Sequence, residues 1–177
     1  MAKLPKTIAS KYIYNGKIFN LRRDEILHFG KRAAREIVEH PGGAAVLAAR
    51  DGFVYLVRQY RHPYRRYILE VPAGKVEKGE APRETALREL AEETGIIAAG
   101  LEEAGTIYPS PGYTDEVIHL FYTDNFTATP ESRPDSDEFL EAAKYPVAEV
   151  YNLVDAGKIT DAKTLVLLYM YRSRLLE

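Results

Sequence analysis

Short β-prone pieces alternate with turn residues from residue 9 to residue 40. Asn15-Gly16 marks one hairpin there and Phe29-Gly30-Lys31 a second turn. Two apolar runs follow, Gly43–Ala49 and Phe53–Gln59, joined by Asp51-Gly52, the clearest hairpin signal in the chain. Tyr67–Val71 predicts a further short strand, stopped by Pro72. Residues 80–94 predict a helix. Pro82 suits its first turn, where a missing N–H costs nothing, and Gly95 suits a left-handed cap after its end. Gly105–Tyr108 and Val117–Thr123 predict strands, and the polar stretch 129–138, with two prolines, predicts a loop. Val147–Ala156 and Ala162–Leu176 predict helices, with Asp161 placed to cap the second. Strands and helices mix without strict βαβ alternation, which predicts an α+β fold or an α/β/α sandwich.

A chain of 177 residues suits one domain and can bury roughly two-thirds of its unfolded surface without staples. It has no cysteine, which excludes disulfides, cysteine nucleophiles and cysteine-bound zinc, so any metal must be held by oxygen or imidazole. The net charge of −2 speaks against a nucleic-acid polymer as partner. Its longest apolar runs, near Ala44–Ala49 and Leu165–Tyr171, are too short to span a bilayer, and Met1–Thr7 lacks the apolar core of a signal peptide. The expectation is a soluble, cytoplasmic protein with no membrane partner.

The chemistry concentrates on the helix at 80–94. At about 100° per residue, with Glu89 at zero, Glu93 falls at about 40° and Glu92 at about −60°. Leu87, Leu90 and Thr94 form an adjoining apolar face. Such a helix can dock on a sheet while presenting a ridge of three carboxylates. Like charges at i,i+3 and i,i+4 repel on an exposed helix and more so in a cleft, and a divalent cation reverses that sign. Magnesium takes hard oxygen ligands and works with substrate phosphates, so the ridge suits a diphosphate clamp. Read alone, the glutamate triplet equally fits a solvated acidic face with Glu84–Arg88 and Arg88–Glu92 ion pairs.

The full spacing decides between these. Gly74 is followed after five intervening residues by Glu80, and after seven more by Arg88-Glu89-Leu90-Ala91-Glu92-Glu93-Thr94-Gly95-Ile96. Seven fixed residue types at roughly 6% usage each make a chance match in one chain far rarer than about one in a million. This is the Nudix box, and the sequence resembles Nudix hydrolases on that ground. The resemblance implies a loop–helix–loop packed on a mixed sheet in an α/β/α sandwich. It implies that Glu89 and Glu93 are metal ligands, that Glu92 is a ligand or a carboxylate supporting the ligands, and that the Ala73 carbonyl is a further ligand. By the same resemblance Gly74 permits a tight backbone, and Glu80 pairs with Arg88 to brace the loop, a role compatible with simply holding the fold.

The likeness extends along nearly the whole chain. Pro111, within Pro109-Ser110-Pro111-Gly112, lies sixteen residues after Gly95, an offset that resembles the ADP-ribose pyrophosphatase subgroup. Arg35-Glu36, His40-Pro41-Gly42, Arg58-Gln59-Tyr60-Arg61 and Glu70-Val71-Pro72-Ala73-Gly74 are similar to the same subgroup. Asp137-Glu138-Phe139-Leu140-Glu141 resembles its acidic loop, which implies a general base outside the box, Glu138 before Asp137, with Glu92 a further candidate. Gly43-Ala44-Ala45 departs from the larger aliphatic residue common there, a variation in packing. The resemblance further implies that Arg61, Arg35, Glu36 and Pro111 serve the substrate. It implies a homodimer in which residues 1–40, a β-rich segment, exchange between copies while 41–177 form the hydrolase domain. The reaction implied is magnesium-dependent hydrolysis, manganese being the other suitable ion, of ADP-ribose to AMP and ribose 5-phosphate. GDP-mannose, another nucleotide sugar, a dinucleoside polyphosphate or a nucleoside triphosphate remain alternative substrates, and a non-catalytic ligand sensor on the same fold is the alternative outside enzymology.

Overall fold

The strand Gly43–Arg50 (β4) reads Gly-Ala-Ala-Val-Leu-Ala-Ala-Arg, apolar at nearly every position, and the computed structural model shows why. Ala44, Val46 and Ala48 pack into one buried cluster with Ala86 and Leu90, while Ala45, Leu47 and Ala49 pack into another with Val150, Leu167 and Leu168. A strand covered on both faces loses the hydrophobic–polar alternation of a half-exposed one. The structure describes residues 4–128 and 139–177. Asp137 and Glu138, the two candidate bases of the acidic loop, lie outside the described residues.

By backbone contacts the chain forms two units. The first runs up to Gly42 and includes Tyr108–Val117. Its strands Lys6–Asn15 (β1), Asn20–His28 (β2) and Lys31–Glu39 (β3) make an antiparallel sheet in that order. The turn at Phe29-Gly30 has both residues at positive φ, 48° and 75°, which matches the right-handed twist of the strands it joins. The 108–117 segment is tied to β3 by Val38 N–H donating to the Tyr113 carbonyl at 2.8 Å and Asp115 N–H donating to the Val38 carbonyl at 3.2 Å.

The second unit holds a mixed seven-stranded sheet. Its main path runs Leu140–Pro146 (β12), Phe53–Arg61 (β5), β4, Ile118–Thr123 (β10), Glu102–Ile107 (β9). Only β4 and β10 run parallel in that path. Two short strands complete the sheet: Arg66–Glu70 (β6) on β5, and Ala73–Lys75 (β7) on the first three residues of β4. Ile96–Ala98 (β8) and Phe126–Ala128 (β11) pair separately. Pro82–Thr94 (α1) covers one face of the sheet through Ala86 and Leu90. Val147–Asp155 (α2) and Ala162–Met170 (α3) cover the other, and Arg172–Leu176 (α4) follows. The fold is therefore the expected α/β/α sandwich with a mixed sheet. Each fully buried leucine, such as Leu47, Leu56, Leu90 or Leu167, contributes about 1.5–3 kcal/mol.

Local signals set the helix ends. Pro82 stands at the start of α1, and Glu84 reaches back to accept the Ala81 N–H at 2.9 Å. Gly95 closes the helix at φ 69°, donating to the Ala91 carbonyl at 2.9 Å. Asp161 caps α3 by accepting the Thr164 N–H at 3.0 Å. The single helix expected over 162–176 is instead two, because the backbone departs from regular helix at Tyr171, whose ring stacks on Tyr122 at 4.2 Å. The strand β12 takes in part of the segment read as an acidic loop, since Leu140 and Glu141 pair with Gln59 and Arg58 of β5. Among the described residues no helix is long and apolar enough to cross a membrane.

Candidate active site

Leu90 and Ala86 anchor α1 to the sheet, and that fixes where the rest of the helix points. Glu93 is turned inward, 1% exposed, and its Oε2 accepts the Ala73 N–H at 3.0 Å. Glu89, one turn earlier, has a side chain 13% exposed, and Glu92 lies outermost at 41%. The ridge expected from the helical spacing is thus graded from buried to open. Strand β7 runs beside it, held by pairing with β4.

Gly74 is the point of closest approach. A Cβ built on Gly74 would fall 1.8 Å from Glu89 Oε1 and 2.0 Å from its carboxyl carbon. Glycine is required here by space and not by conformation: among the glycines at positive φ Gly74 does not figure. One backbone segment therefore touches both inner carboxylates, Ala73 against Glu93 and Gly74 against Glu89.

Arg88 binds the remaining acids. Its Nε donates to Glu80 Oε1 at 2.9 Å and its Nη2 to Glu80 Oε2 at 3.1 Å. Its Nη1 donates to Glu89 Oε1 at 2.7 Å and to Glu92 Oε2 at 3.0 Å. The Arg88–Glu92 pair foreseen for a surface helix exists, but Glu84 serves the helix start instead of Arg88. Hydrogen bonds from Arg88, and then from Thr85 and the Glu77 N–H, hold the Glu80 carboxyl down at about 2, against an ordinary value of 4.5. Those same acids, Glu80 first, raise the Arg88 guanidinium further above its ordinary range.

A lowered folded-state pKa stabilises the fold above the unfolded value and loses that contribution as pH falls through the folded one. The stability gap between wild type and Glu80→Gln is therefore expected to be constant above about pH 5 and to close towards pH 2. Urea unfolding midpoints of both proteins across that range check it, and a gap that widens on acidification contradicts the pairing.

Three carboxylates, Glu80, Glu89 and Glu92, meet one guanidinium here, and with Glu93 on the same helix as Glu89 and Glu92 the four acids exceed that one cation by three charges. The donor set is all hard oxygen: two inner carboxylates and the backbone of a strand that touches both. Among the described residues no three His, Asp or Glu side chains close into a complete metal-binding group. Hard oxygen donors suit a divalent cation that takes one or two protein carboxylates and fills its other positions with water and phosphate oxygens. The residues fit a divalent cation, which Glu89, Glu93 and the Ala73 carbonyl would hold, with Glu92 at the rim.

Arg61, expected to meet a phosphate or ribose of the substrate, lies on β5 and forms a two-pronged pair with Glu70, Nε to Oε1 at 2.7 Å and Nη2 to Oε2 at 2.8 Å. Glu70 is 2% exposed and also accepts from Lys163, which in turn donates to Asp161 Oδ1 at 2.9 Å. Burial pushes the Glu70 carboxyl up, but the hydrogen bonds and charges of Arg61 and Lys163 outweigh that and leave it below its ordinary range. Lys163 has no sequence signal of its own, because its partner lies 93 residues away. Arg35, Glu36 and Pro111 belong to the other unit. Arg35 and Glu36 are exposed on β3, in register with Asp24 and Arg23, and Pro111 is exposed in the 108–117 segment.

A NUDIX domain model matches residues 38–168. The chain belongs to the Nudix family. It is 45% identical over 162 residues to an ADP-ribose pyrophosphatase of Bacillus subtilis (strain 168), covering 90% of this chain and 88% of the relative. It is 39% identical over 164 residues to a methanol dehydrogenase activator of Bacillus methanolicus, covering 91% and 89%. The crystal structure of an ADP compounds hydrolase superposes with a TM-score of 0.84 over 99% of this chain and 96% of its own, at 22% identity, and shares the fold.

Proposed function

We propose that this Nudix protein is a pyrophosphohydrolase that cleaves ADP-ribose to AMP and ribose 5-phosphate, with magnesium held on α1. The observation that carries the reading is the graded carboxylate ridge of Glu93, Glu89 and Glu92 closed against the β7 backbone. The 45% identity to an ADP-ribose pyrophosphatase supports the substrate, as does Pro111 at its offset from Gly95.

When bound, the cation neutralises diphosphate oxygens and lowers the pKa of an attacking water. Glu89, Glu93 and the Ala73 carbonyl would hold it in place. Water attacks one phosphorus, the P–O–P bridge breaks, and the bridging oxygen leaves with the other phosphate. A carboxylate outside the box, Glu138 first and Asp137 second, takes the proton. Arg61, kept in place by Glu70, lies within electrostatic reach of Glu93 and adds positive charge to the site.

Incubation with magnesium and ADP-ribose, GDP-mannose, diadenosine tetraphosphate or dGTP, with products separated by ion exchange, tests the substrate. The expected result is AMP from ADP-ribose at a kcat/KM at least tenfold above the others, about 1.4 kcal/mol of discrimination. Preference for another member keeps the hydrolase and discards the substrate.

The same reading includes a homodimer with exchange of residues 1–40, in which Arg35 and Glu36 serve the partner's site. Support comes from β1, exposed along its whole length, and from apolar side chains such as Ile18 at 61% and Phe29 at 75% exposure. A three-stranded sheet with that much apolar surface open to water calls for a covering partner. Light scattering at micromolar concentration is expected to give twice the 20.0 kDa chain mass, and a monomer contradicts it.

A further inference from the structure

Val71, Pro72, Ala73 and Gly74 form the strap that carries the backbone to both inner carboxylates, and three neighbours fix it. Ala73 N–H donates to Glu93 at 3.0 Å, and the Pro72 carbonyl accepts from Val46 N–H at 2.9 Å. The third tie is remote in sequence: Val71 N–H donates to Thr164 Oγ1 at 2.9 Å. Thr164 is fully buried in the first turn of α3. Its hydroxyl donates to Asp161 Oδ2 at 2.6 Å. A hydroxyl has one proton and two lone pairs, so donation to Asp161 turns its lone pairs towards Val71 N–H. Asp161 itself is fixed twice more, by the Thr164 N–H at 3.0 Å and by Lys163 Nζ at 2.9 Å. Lys163 also reaches Glu70, the residue just before the strap.

The geometry points to Thr164 as a positioning residue for the cation site. Its hydroxyl transmits the rigid cap of α3 to the strap and so sets the distance between the Ala73–Gly74 backbone and the Glu89 and Glu93 carboxylates. This inference rests on the metal-site reading above. Thr164 touches no reacting atom; it acts through Val71. Groups that orient metal ligands from behind typically change metal affinity by about 10–100-fold when removed.

Thr164→Val keeps shape and burial and replaces the hydroxyl by a methyl, which neither accepts from Val71 N–H nor donates to Asp161. Mn2+ binding to the substrate-free protein, followed by electron paramagnetic resonance of the free ion, reads the site without turnover. Thr164→Val is expected to raise the dissociation constant by about tenfold, and Thr164→Ser to restore wild-type binding. Val150→Ala, a cavity in the same buried cluster as Val71 that leaves the strap's hydrogen bonds in place, is expected to lower the melting temperature while leaving Mn2+ affinity at the wild-type value. Unchanged affinity in Thr164→Val, or an equal loss in Val150→Ala, overturns the positioning role while leaving the metal site standing. A wild-type protein that binds no Mn2+, or a Glu93→Gln variant that binds it as well as wild type, overturns the metal reading and this inference with it.

Discussion

Glu93→Gln is expected to lower kcat by roughly a thousandfold at saturating magnesium, the loss of about 4 kcal/mol of charge stabilisation at the cation. The amide is nearly isosteric and its oxygen can still accept the Ala73 N–H, so packing at this 1% exposed position is kept. The change removes one negative charge from a cluster that already carries an excess of them. The variant is therefore expected to melt no lower than wild type in EDTA. Loss of activity without loss of stability shows a carboxylate needed for its charge and not for its hydrogen bond to Ala73, which the amide keeps. Steady-state kinetics and calorimetry on the same preparation decide it, and a variant with wild-type turnover contradicts the assignment.

Gly74→Ala is expected to lower turnover by about a hundredfold while leaving the melting temperature close to that of wild type. The three atoms nearest the added methyl all belong to the far end of the Glu89 side chain, which can swing away. The fold therefore tolerates the change, but Glu89 is driven from its place beside β7. Its escape also disturbs Arg88, whose Nη1 bridges Glu89 and Glu92. The magnesium concentration for half-maximal activity is expected to rise, because one of two inner carboxylates has moved. Activity measured across a magnesium titration checks this. A variant that unfolds, or one that keeps both turnover and magnesium requirement, shows that the contact between Gly74 and Glu89 has another meaning.

The box was legible because each of its residues has a local or short-range job. Pro82 and Gly95 mark the limits of α1, Glu89, Glu92 and Glu93 share an arc of it, and Glu80 lies eight residues from Arg88. The strands buried on two faces were legible as apolar runs, and Asp161 as a cap. The three-residue strands β7, β8 and β11 carried no periodic signal, since pairing with distant neighbours alone defines them. Phe139 and Glu141, read within an acidic loop, border or enter β12 because β5 offers a full edge to pair with. The ties of Glu70 to Lys163 and of Val71 to Thr164 span 93 residues each and left no mark in local spacing. Arg61 illustrates both sides: its position in the Arg-Gln-Tyr-Arg run was visible, but its grip on Glu70 depends on the β5–β6 pairing.

The most direct test of the account is AMP release from ADP-ribose by the wild-type protein, followed as EDTA is added and magnesium is then restored. The account predicts that turnover stops with EDTA and returns fully with magnesium. Hydrolysis of ADP-ribose that continues at the same rate in EDTA contradicts it.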